Sequence, residues 1–294
     1  MATIETNTKS SLHIRCNSLP SAPHPLVSQF EEHLDRLKSS EATSSSSLSS
    51  STISHNLGSL QDLHDCIDKL LQLPITPISG LARDCCDELL DGSLRLLDIC
   101  TTATDALLES KESIHELQSF VRRRRGGEIS LPIGGEKYLA SRKKLKKAIH
   151  EGLRNLKGIK NELISSSSKN DKENFSLLSI LKEAEAVTLS SLKSLLMFVS
   201  DPKGQSKQSR WSMISTLKQT KRVACDSQVS DTNEFNKVDA ALQSNISHKS
   251  SSVENLQNHM ENLEICIQVL EVGIEHLLRQ LIKTRVSLLN IFNY

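Results

Sequence analysis

Residues 253–291 read VENLQNHMENLEICIQVLEVGIEHLLRQLIKTRVSLLNI, and the spacing of apolar side chains in this stretch decides the fold. Val253, Leu256, Met260, Leu263, Ile267, Leu270, Ile274, Leu277 and Leu281 alternate three- and four-residue steps. The same heptad continues through Thr284, Leu288 and Ile291, with Thr284 the one polar residue on it. A seam of this period marks a long helix packed along its length against other helices. Cys266, Leu278, Ile282, Val286 and Leu289 widen the stripe beyond what a two-stranded zipper needs. The helix therefore reads as a member of an intramolecular bundle, with a dimerising coil as the alternative.

Upstream, the pattern repeats in shorter pieces. Residues 1–24 lack periodicity and read as a flexible tail. Pro25 suits the first turn of a short helix over 25–38, with Phe30, Leu34 and Leu37 on one side. Residues 39–55 are serine-rich and read as a linker, and 56–294 as the helical-bundle domain. Within it, helices are expected from Leu57 to Pro74, from Ser79 to Arg125 with a bend at Gly92, over 136–165, over 172–200 and over 233–246. Gly126, Gly127, Pro132, Gly134 and Gly135 read as one loop. A short helix around Trp211, Met213, Ile214 and Leu217 is expected in an otherwise polar stretch. The whole is an all-α, elongated bundle with a long coiled-coil-like C-terminal helix.

Composition agrees and excludes several functions. The 294 residues carry 36 Lys plus Arg against 35 Asp plus Glu, so a nucleic-acid binder with a large positive field is not expected. Aromatics are 3%, too few for base-stacking platforms. The polar N-terminus does not read as a secretory signal, and its serine and threonine content leaves a transit peptide as an alternative. Uncharged apolar runs stay short of a membrane span. Seven cysteines without CxxC spacing argue against a disulfide framework or zinc, and Cys100 and Cys266 read as buried thiols. A cytoplasmic location is expected, with membrane-peripheral, nuclear and plastid locations as alternatives.

Charge is uneven along the chain. His55 to Phe120 holds 12 acids and 4 bases, whereas Arg122 to Lys160 holds 13 bases and 3 acids. Neighbouring antiparallel helices would set these signs against each other. The basic stretch contains Arg122, Arg123, Arg124 and Arg125, then Arg142, Lys143, Lys144, Lys146 and Lys147 on a helix shared with Tyr138, Leu145 and Ile149. This candidate contact surface reads as a solvated face paired with the acidic helix, an anionic-membrane contact, a nuclear-import signal or a calmodulin-type target. In the tail, Arg15, Ser18 and Pro20 have the spacing of a phosphoserine recognised by a 14-3-3 groove.

Nucleophile arrangements are not convincing, which leaves an enzyme of unrecognised type as the alternative to an interaction protein or a peripheral membrane protein. His64, Asp65 and Cys66 are consecutive, so on a helix they point in different directions. Neither HExxH nor a phosphate-binding glycine loop occurs, and no cofactor or metal is expected.

Several blocks carry a family likeness. They include His24-Pro25-Leu26 with Glu31-Glu32-His33-Leu34-Asp35-Arg36-Leu37, and Leu57-Gly58-Ser59-Leu60-Gln61-Asp62-Leu63 with Leu70-Leu71-Gln72-Leu73-Pro74. Leu89-Leu90-Asp91-Gly92-Ser93-Leu94-Arg95-Leu96-Leu97-Asp98 and Tyr138-Leu139-Ala140-Ser141-Arg142-Lys143-Lys144 follow. Ser209-Arg210-Trp211-Ser212, Lys221-Arg222-Val223-Ala224-Cys225, Val238-Asp239-Ala240-Ala241-Leu242 and the run from Leu281 to Asn290 complete the order. Together they resemble the land-plant family called domain of unknown function 241, grouped with the BYPASS proteins. The resemblance implies a helical, non-catalytic protein acting through unknown protein partners. For the BYPASS relatives it implies a role in root and shoot development, restraining a root-derived mobile signal that arrests the shoot.

Overall fold

Serine and proline chemistry sets where the helices begin. A computed structural model describes residues 24–43, 49–73, 83–123, 130–163, 177–200, 233–246 and 253–292. Seven helices run through them: α1 (Pro25–Thr43), α2 (Ser50–Leu71), α3 (Arg83–Arg123), α4 (Ser130–Leu163), α5 (Leu177–Ser200), α6 (Glu234–Ile246) and α7 (Val253–Phe292). No strand occurs among the described residues.

The stretch read as a linker is partly helical. Ser39 and Ser40 remain in α1, where the Ser39 hydroxyl donates to the Asp35 carbonyl and Ser40 to Asn56 Oδ1 on α2, each at 2.7 Å. Ser49 caps α2 by accepting from the Thr52 N–H at 3.2 Å, and helix follows immediately. Serines defeat a composition argument here because they serve helix ends and helix backs as readily as loops. Phe30, Leu34 and Leu37 of α1 are buried in the common core, so the bundle begins with α1.

The expected loop around Gly134 and Gly135 is also helix. Pro132 stands in the first turn of α4, where a missing N–H leaves no bond unmade. The two glycines lie where other helices approach closely. A Cβ at Gly134 would meet the Phe120 ring at 2.5 Å, and one at Gly135 would meet Leu242 and Ile246 at 3.0–3.1 Å. α3 runs on through Gly92, which makes room for the Glu185 carboxylate, paired with Arg95 at 2.8 Å.

The core is built on α3 and α7, each about 60 Å long at 1.5 Å per residue. They run antiparallel: Arg285 bonds Ser93, Cys100 faces the Ile274 carbonyl, Lys111 pairs with Glu271 and Gln118 with Glu264. Ten seam positions of α7 are buried, from Leu256 to Leu288 and including Thr284, while Val253 and Ile291 are half-buried. Of the residues that widen the stripe, Cys266 is buried and Leu278 and Leu289 are half-buried, while Ile282 and Val286 stay exposed. One half of this pair is closed by α2 and α5, with α1 laid across them; the other half is closed by α4 and α6.

Polar groups buried in the first half bind helices to one another. Asp68 of α2 accepts from Gln72 and Lys283 at 2.7 Å and from Ser287 at 3.3 Å. His64 of α2 lies 2.9 Å from the Thr188 hydroxyl of α5. That hydroxyl already donates to the Ala184 carbonyl, so His64 Nε2 is the donor. Burial pulls the His64 pKa down to about 4 from 6.5.

His64 therefore makes the fold acid-sensitive. The unfolded chain takes up a proton as pH falls below about 6.5 and the folded chain does not until about 4, so stability is lost across that window. Between pH 7 and pH 5 the loss through this group is about 2 kcal/mol. Denaturant titrations of wild type and His64→Gln should diverge by that amount over the interval; parallel pH profiles would remove His64 as the cause.

Candidate functional site

The basic residues singled out by the sequence do not form one surface. Arg122 and Arg123 are exposed on the last turn of α3. Arg124 and Arg125 fall outside the described residues, as do Ser18, Arg15, Pro20 and the Trp211 segment. The remaining five lie on α4, which divides them between two faces.

Arg142 is a correction to the expected contact surface. It is 2% exposed and sits in the apolar stripe of Tyr138, Leu145, Ile149 and Leu153. Its guanidinium lies over the Phe235 ring of α6, 4.5 Å from the centroid. Nη1 donates to the Val199 carbonyl at 3.0 Å, in the last turn of α5 where carbonyls lack helical partners. Nε is 3.5 Å from Asp239 Oδ1 on α6, and Lys146 Nζ reaches the other oxygen of Asp239 at 3.1 Å. Phe235 meets Phe198 edge to face at 5.7 Å. One side chain thus fastens α4 to the end of α5 and to α6; charge, one hydrogen bond and the ring face offset part of its burial, and Nε and Nη2 make no hydrogen bond among the described residues. Beside it, burial pushes the Tyr138 hydroxyl well above the usual phenol range, and the Arg142 charge opposes that rise.

The sequence carried a signal for this. Residues 138, 142, 145 and 149 recur at helical spacing, so Arg142 stands in an apolar row while its basic neighbours do not. Phe235 and Asp239, four residues apart on one face of α6, were not anticipated as its partners.

Lys143, Lys144 and Lys147 point outward. None has an acidic partner within ion-pair distance among the described residues. Lys146 is half-buried and engaged with Asp239. The expected pairing of α4 with acidic α3 is realised among the described residues by Lys137 and Glu116 alone. Other acids face elsewhere: Glu88 of α3 pairs with Lys182 of α5 at 2.7 Å, and Glu264 and Glu271 of α7 bind α3. The contact of Phe120 with Gly134 and of Ser113 with Ser141 sets α3 and α4 antiparallel. That register puts Arg122 beside Pro132, about 16 Å along the helix axis from Lys143.

Nothing among the described residues groups three or more His, Cys, Asp or Glu as a metal site. His64, Asp65 and Cys66 diverge as expected: His64 binds Thr188, Asp65 pairs with Lys69, and Cys66 donates to the Leu26 carbonyl. Cys100 and Cys266 are buried, and burial raises both thiols to about 12. Thiols so protonated are poor nucleophiles. A core cavity of about 30 Å³ beside His64 and Thr284 has room for about one small molecule the size of water.

The two faces of α4 predict opposite mutational behaviour. Arg142→Ala leaves Asp239 with Lys146 only and should cost about 3 kcal/mol. Lys143→Gln, Lys144→Gln and Lys147→Gln combined should leave stability within about 0.5 kcal/mol of wild type. Urea unfolding followed by circular dichroism measures both; equal effects would contradict the division.

The chain matches a protein-family model described as Protein BPS1 over residues 56–291, about four-fifths of its length. No curated protein and no solved structure matches it. No described helix is long and apolar enough to cross a membrane. The likeness noted in the ordered sequence blocks and the all-helical fold agree with the match, and the chain belongs to the BPS1 family.

Proposed function

We propose that this chain is a non-enzymatic interaction protein, acting in root and shoot development as its family membership suggests. The observation that carries the contact surface is the ridge of Lys143, Lys144 and Lys147, exposed and without acidic partners among the described residues. A helix held from behind by Arg142 presents these charges on a firm backing. Such a ridge suits an acidic surface of a protein partner. The polar groups buried in the core support a non-catalytic reading, because Asn56, His64, Asp68 and Arg142 are each bonded to a neighbouring helix.

An anionic membrane surface would use the same lysines, at about 1 kcal/mol each near the lipid. It is the weaker reading, as is a calmodulin-type target. Both call on an amphipathic helix, and the apolar face of α4 at Tyr138, Leu145, Ile149 and Leu153 is packed into the bundle. Phosphorylated Ser18 as a 14-3-3 contact is a separate proposal and rests on the sequence pattern alone.

Complementation tests the main reading. A plant line lacking this protein should show altered root or shoot growth, restored by the wild-type chain and not by the Lys143→Gln, Lys144→Gln, Lys147→Gln chain at equal abundance. Full rescue by the triple variant would overturn the lysine ridge as the contact. Normal growth of the line would overturn the developmental role.

A further inference from the structure

The outer face of α7 has a pattern that the bundle does not use. Glu254, Asn258, Glu261, Ile265, Val269, Val272, His276, Arg279 and Lys283 follow at three- and four-residue steps, and all are exposed. Ile265 is 59%, Val269 49% and Val272 70% exposed. Three branched apolar residues in one exposed helical row form a second seam, turned away from the buried one.

The charges along this row are ordered. Its N-terminal half carries Glu254 and Glu261, and its C-terminal half carries His276, Arg279 and Lys283. A second copy of α7 laid antiparallel, with the two-fold axis between Gln268 and Val269, matches them. Glu254 then faces Lys283, Asn258 faces Arg279, Glu261 faces His276 and Ile265 faces Val272, each twice. Both helix dipoles are also opposed in this arrangement. Such a surface is self-complementary about a two-fold, which a heterologous partner does not require.

Neighbours within the chain leave these groups available. Arg279 holds Glu275 on its own helix and His276 Nδ1 meets Gln61 of α2. Lys283 reaches Asp68 yet keeps 55% of its side chain exposed. Alongside Ile265 and Val269, a groove of about 370 Å³ opens between α7, α6 and the start of α2, bordered by Ser54 and Lys237. It gives side chains of the second copy a recess beside the row.

We infer that the outer face of α7 is a homodimer interface, in which two copies pair antiparallel through Ile265, Val269 and Val272 with Glu254 and Glu261 against Lys283 and His276. The paired row spans about 44 Å of helix, a small interface, so the dimer forms in the micromolar range. This surface is distinct from the lysine ridge of α4.

Sedimentation equilibrium tests it on the full chain. From about 1 to about 100 µM the mass should climb from 32.6 kDa toward twice that value. Val272→Glu should hold the chain at the single-chain mass with an unchanged circular dichroism spectrum, since the position is exposed. Glu261→Lys makes the row basic where it meets His276, and His276→Glu makes it acidic where it meets Glu261. Each of these variants should stay single alone, and a mixture of the two should dimerise. A wild-type chain that stays single throughout overturns the interface. A dimer that survives Val272→Glu places association on another face and overturns it as well. Loss in Val272→Glu without recovery in the mixture overturns the antiparallel register.

Discussion

The apolar contact between α3 and α7 is the constraint on which every other element depends. Both helices are long, both carry a continuous stripe, and neither can bury that stripe alone. Their antiparallel packing removes one side of each stripe from water and leaves two grooves. The other helices fill those grooves, α2 and α5 in one half and α4 and α6 in the other. Because α7 gives its seam to α3 and to α2 and α6 beside it, its outer face is left to meet what lies outside the chain.

Within that frame, the basic helix α4 works by division of labour. Its apolar row and Arg142 face inward, and its lysines face outward. The inward guanidinium is costly to bury, and it is held by a carboxylate, a helix-terminal carbonyl and an aromatic face from two other helices. Such an arrangement fixes where α4 lies more sharply than apolar packing does, since none of its partners can be exchanged for a neighbour one turn away. The position of the outward lysines follows from it.

Periodicity made the architecture legible. The α7 seam could be read residue by residue because a helix packed on several neighbours must repeat apolar residues every three or four positions. The glycine pair at 134 and 135 and the serines at 39–40 and 49–51 were misread for one reason: both residue types serve loops and helices, and only the neighbouring helix decides. Phe120 against Gly134, Ser40 against Asn56 of α2 and Ser50 against Glu234 of α6 are such decisions, made by contacts between helices. The contact surface was half legible. Lys143, Lys144 and Lys147 are exposed as their composition suggests, but Arg142 looks alike in a count of charges and differs only by its place in the apolar row. Its partners on α6 lie about a hundred residues away, beyond any local pattern.

Native-state hydrogen exchange on wild type and Arg142→Ala tests the central claim most directly, that an α3–α7 spine carries a separately fastened α4. In wild type the slowest amides should lie in the middle of α3 and α7, with α4 protected from Tyr138 to Leu153. In the variant, exchange should quicken in α4, α6 and the last turn of α5 while the spine keeps its protection. Slowest exchange outside α3 and α7, or a variant that loosens the whole chain evenly, would contradict the account.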